Sequence, residues 1–104
     1  MQTEFSFVLP RGYLDAGGRV HRQGHMRLAM ATDEMEVAAD LRVQTNPAYL
    51  PALLLSCVVV RLGELPAVTP EVVAGLFAVD LAFLEDLYQR INSVETTTVG
   101  TVCP

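Results

Sequence analysis

The sequence predicts an α+β domain: a small N-terminal antiparallel β-sheet of two or three strands followed by three or four α-helices. Three observations lead there. Residues 4–30 alternate apolar and polar side chains on either side of a glycine-rich turn. Residues 31–92 instead place helix-start signals ahead of apolar runs of helical length. A hydrophobic fraction of 51% with only 18% charged residues gives the chain enough apolar material for one packed core and excludes a disordered composition.

The first element is "EFSFVLP", with Phe5, Phe7 and Leu9 on one face and Glu4, Ser6 and Val8 on the other. This pattern predicts a half-buried strand ended by Pro10. "DAGG" reads as a hairpin turn, because its residues tolerate positive φ. "GHMRLAM" then resumes the alternation through Met26, Leu28 and Met30. So small a sheet needs a layer to pack against.

The helices supply that layer. In "ATDEMEVAADLRV", Thr32 is the expected N-cap, and Asp33, Glu34 and Glu36 put negative charge at the positive end of the helix. Met35, Ala38 or Ala39, and Leu41 are its expected inner face. "PALLLSCVVVRL", residues 51–62, is apolar all round. Its three valines suit a strand, but Pro51 at the start and Gly63 just past the end favour a buried helix. Thr69 followed by Pro70 marks another helix start, with Thr69 as the cap. Asp80 is expected to cap the last helix, with Val79 and Leu84 as its hydrophobic staple. Phe77, Leu81, Leu84, Tyr88 and Ile91 recur as one helical stripe. Residues 1–93 thus form a single domain, and the Thr-rich 94–104 is expected to be a flexible tail.

Composition narrows the function. The net charge is −5, and every basic residue is arginine. Arg11, Arg19, Arg22 and Arg27 stand among strand and turn residues, which predicts a solvated strand face rather than a nucleic-acid site. No stretch is long enough to span a membrane, and the N-terminus lacks the basic start and apolar run of a signal peptide. Cys57 and Cys103 make no disulfide framework and suit a reducing cytoplasm, with Cys57 expected to be a small buried hydrophobe.

No catalytic constellation stands out, so the expectation is a protein that is not an enzyme and takes no metal or cofactor. His21 and His25 have no acid or cysteine at ligand spacing and read as exposed strand residues. Ser56 and Cys57 lack a nearby base. A docking surface is a better fit to the excess of apolar helix face, for a partner peptide or for a second copy in a homo-oligomer. Tyr49, Phe83 and Leu87 lie off the main stripe and are the expected border of such a surface.

Taken in order, "FVLPRGYLDAGG", "MRLAMATDEMEV", "NPAYLPALLLSCVVVRLGEL" and "VTPEVVAGLFAVDLAFLEDLYQRIN" resemble the small tail assembly proteins, or tail assembly chaperones, of long-tailed phages. The resemblance is closest to those of Mu-like contractile phages and prophage-derived contractile injection systems, and it covers residues 5–92. It implies a cytoplasmic, non-enzymatic role in the bacterial host cell. Such a chaperone binds the tape measure protein, keeps its long helices soluble, and helps recruit tail tube subunits before leaving. The alternative expectations are a baseplate or tube-end adaptor retained in the particle, and a small homo-oligomeric regulatory module.

Overall fold

A computed structural model describes residues 1–93 of the 104-residue chain, so the expected tail 94–104 lies outside the described residues. The fold is α+β. A three-stranded antiparallel sheet, β1 (Glu4–Leu14), β2 (Val20–Arg27) and β3 (Val59–Leu62), has the order β1-β2-β3. The helices are α1 (Ala31–Ala39), α2 (Leu41–Thr45), α3 (Leu50–Val58), α4 (Pro70–Ala74) and α5 (Ala78–Asn92), with a 3-10 turn at Pro47–Tyr49.

The alternation in β1 works as expected, with Phe7 and Leu9 buried, Phe5 half-buried, and Glu4, Ser6 and Val8 exposed. The strand does not stop at Pro10, however. Pairing with β2 jumps from Val8–Gln23 to Tyr13–His21, so the intervening residues form a wide bulge. A bulge accommodates proline because no ladder N–H is needed there. The freed backbone groups are satisfied by side chains. Arg22 donates from Nε to the Leu9 carbonyl at 2.9 Å, and Asp80 accepts from the N–H groups of Arg11 at 2.8 Å and Gly12 at 2.9 Å.

Asp80 is therefore a long-range tie and not the cap of α5. The N-cap is Phe77, whose side chain makes no capping bond, and Phe77 is exposed instead of heading the buried stripe. With that boundary, Leu76 and Leu81 take the staple positions and both pack on the core, while Val79 is exposed. Leu84 and Tyr88 are buried as the stripe predicts, and Leu81 and Ile91 are half-buried.

The 51–62 segment changes structure midway. α3 ends at Val58, and Val59–Leu62 forms β3 against β2. Its β-branched valines fit the pleated edge better than a further helical turn. Gly24 sits opposite Leu62 in the ladder, where a Cβ would lie 2.3 Å from the Arg61 carbonyl oxygen. Gly63 turns the chain out of β3 with φ +55°.

Thr32 does not cap α1. The helix starts two residues earlier, with Met30 at the N-cap, and Asp33 reaches back to the Met30 N–H at 2.7 Å. Arg27 holds the same carboxylate in two bonds of 2.8 and 3.0 Å and also donates to the Cys57 carbonyl, joining β2, α1 and α3. Met35 and Leu41 face solvent, and Val37 makes the inner contact, in a small cluster with Val43 and Leu53. Thr69 does cap α4, accepting from the Val72 N–H at 3.2 Å.

The Arg27 side chain holds the Asp33 carboxyl below the usual carboxylate range. A carboxyl with a depressed folded pKa stabilises the fold above its unfolded value, and that contribution disappears as pH falls through the folded value. The fold should therefore lose stability on acidification below about pH 4. Urea midpoints for Asp33→Asn should fall less steeply over that window than those of the wild type. Parallel slopes would show that the pair carries none of the acid limb.

Candidate partner-binding groove

α3 is the central helix of the molecule. Ala52, Leu53, Leu55 and Val58 are buried, and Leu54 touches both the main core and the small α1–α2 cluster. Its first turn is less covered. Tyr49 and Leu50 remain 43% and 39% exposed, and Pro51 is half-buried between two apolar depressions. One, of about 190 Å³, lies between α3 and α5, with Leu50, Leu54, Leu55 and Tyr88 as its apolar lining and Glu85 and Gln89 on its side. The other, of about 300 Å³, lies across Pro51 and is lined by Tyr49, Ala52, Val73 and Leu81, among others. The two share Pro51 and flank the start of α3, and the pair is the groove of this surface.

Local sequence explains why this turn stays open. Asn46 caps the 3-10 turn through the Ala48 N–H at 3.2 Å, and Pro47 and Pro51 each sit in the first turn of their helix. The chain is thereby set into α3 at a fixed place, with apolar residues on all its faces and too few neighbours to cover them.

The electrostatics are one-sided. Arg42 pairs with Asp40 at 3.2 Å and Arg90 with Asp86 at 3.0 Å. Glu85 and Glu34 make no ion pair among the described residues. Glu34 accepts a hydrogen bond of 2.5 Å from the Tyr88 hydroxyl. Burial, and then that carboxylate, pushes the Tyr88 phenol well above its ordinary pKa, so it remains a donor.

Of the residues expected to border a partner surface, Tyr49 lines the groove. Phe83 and Leu87 are half-buried against the core, and the Phe83 ring meets Phe7 edge-on at 6.4 Å. Leu50, Pro51 and Leu54 escape sequence reasoning because a uniformly apolar helix has no periodic signal to single out its open side. Tyr88 is legible only as a core residue.

No family model, curated protein or solved structure matches this chain.

Other candidate chemistry is structural in its surroundings. His21 is buried, contrary to the exposed reading, while His25 is half-buried. His21 Nδ1 accepts from the Glu64 N–H at 3.2 Å, which leaves the Nε2 proton for Asp15 at 2.8 Å. That arrangement ties the hairpin turn to the loop after β3. Cys57 is exposed, not buried, and desolvation of its thiol followed by the nearby Asp33 pushes its pKa up. A thiol so shifted is a poor nucleophile. Among the described residues, no group of three or more His, Cys, Asp or Glu could hold a metal ion, and no helix is long and apolar enough to cross a membrane.

Proposed function

We propose that this protein is a non-catalytic tail assembly chaperone that shields apolar segments of a tape measure protein during tail morphogenesis in the host cytoplasm. The observation that carries this reading is the groove across the first turn of α3, left open after the sheet and helices have covered one another. An extended amphipathic helical protein aggregates through its apolar faces, and a helix-in-groove contact can cover them reversibly. The family resemblance of residues 5–92 supplies the identity of the partner, with tail tube subunits as its later recruits.

Co-expression with the tape measure protein of the same phage or prophage tests the reading. The tape measure protein is expected in the soluble fraction only when this chain accompanies it, and the chain is expected to be absent from purified particles. Equal solubility with and without the chain would refute the chaperone role. Stoichiometric retention in particles would instead favour a structural adaptor.

A further inference from the structure

We infer that the groove selects a cationic amphipathic helix, seating apolar side chains in the two depressions beside Pro51 and basic side chains against Glu85 and Glu34. This rests on the reading of the groove as the partner site. The floor is apolar through Leu50, Leu54, Leu55 and Tyr88, and Glu85 stands on its side. Glu34 is fixed near the same end by the Tyr88 hydroxyl. Arg42 is engaged by Asp40, Arg90 by Asp86 and Arg27 by Asp33, while Arg11 and Arg61, which make no ion pair among the described residues, line neither depression. Glu85 and Glu34 thus have no basic partner among the described residues, and no arginine lines the groove. An acidic or neutral helix could satisfy the floor but not these carboxylates, and an acidic one would be repelled. Two separate depressions fit two apolar anchors on one helical face better than a single bulky ligand.

Two synthetic probes test this on the full chain. Both are amphipathic helices of roughly 18 residues, about five turns, with the same leucine face, one with lysine and one with glutamate on the polar face. Titrated into isotope-labelled protein, the lysine peptide should saturably move the amide resonances of Leu54, Leu55, Glu85 and Gln89. It should bind at least about tenfold more tightly than the glutamate peptide, and less tightly as salt is raised. Glu34→Gln with Glu85→Gln should weaken it about fivefold, the worth of two exposed charge pairs. Glu36→Gln, which removes an acid outside the groove lining, should leave it unchanged.

Equal binding of the two peptides in the groove would overturn the charge selection while leaving the groove as partner site. Unchanged affinity in the double variant would reduce the attraction to general charge and overturn it as well. Groove resonances that move with protein concentration alone would give the site to a second copy. Failure of both peptides to move them would remove this inference and the reading beneath it.

Discussion

Asp80→Ala is expected to remove about 3–5 kcal/mol of folding stability, the cost of leaving two backbone donors without an acceptor at about 1–3 kcal/mol each. Asp80 is completely buried and accepts the N–H groups of Arg11 and Gly12, at 2.8 and 2.9 Å. Those groups lie in the β1 bulge, where no ladder partner exists to replace the carboxylate. The alanine variant leaves both donors without an acceptor and leaves a small void under α5. Asp80→Asn retains one acceptor oxygen but turns an NH2 group toward a donor, so a smaller loss, about 2 kcal/mol, is expected. Urea unfolding should show falling midpoints in the order wild type, asparagine, alanine, with little change in slope. A midpoint for Asp80→Ala equal to that of the wild type would show that the bulge does not depend on this carboxylate. Since domains of this size hold only about 5–15 kcal/mol in total, the alanine variant should approach the limit of folding.

Gly24→Ala is the second large effect, expected at about 2–4 kcal/mol through overpacking in the middle of the sheet. Its Cβ would lie 2.3 Å from the Arg61 carbonyl oxygen and 2.6 Å from the Phe7 ring. The ring can move, but the carbonyl belongs to β3, and displacing it breaks the β2–β3 pairing. The double variant Gly24→Ala with Phe7→Leu should therefore recover little. Thermal denaturation checks both, since each kcal/mol should lower the midpoint by about 4–8 °C in a domain of this size. A melting temperature for Gly24→Ala within a degree or so of the wild type would mean that β3 is free to shift.

These two residues mark where the sequence is readable and where it is not. Alternation in β1 identifies Phe7 and Leu9 as inward-facing, because the period-2 pattern is local. Leu84 and Tyr88 are equally legible from helical spacing. Asp80 looks like a cap because the residues after it make a helix, yet its partners are 68 and 69 positions away in the chain. Local grammar has no access to such a pairing. Thr32 loses the cap position to Met30, whose N–H donates to an Asp33 carboxylate that Arg27 of β2 holds in place. In residues 51–62 the uniform apolarity hides both the switch at Val58 from helix to strand and the open side of α3. His21 is covered by the Gly63–Glu64 turn, whose Glu64 lies 43 positions away in the chain. Tyr49 is the one expected border residue at the groove, since the proline-rich turn around it is itself a local signal.

The first turn of α3 is proposed to hold a partner. The most direct test is the soluble yield of co-expressed tape measure protein with wild type and with the double variant Tyr49→Gln, Leu50→Gln. Both residues are exposed enough for the substitutions to leave the fold intact, which circular dichroism verifies. A soluble tape measure protein is expected with the wild type and an aggregated one with the folded double variant. A folded double variant that protects the tape measure protein as well as the wild type does would contradict that expectation.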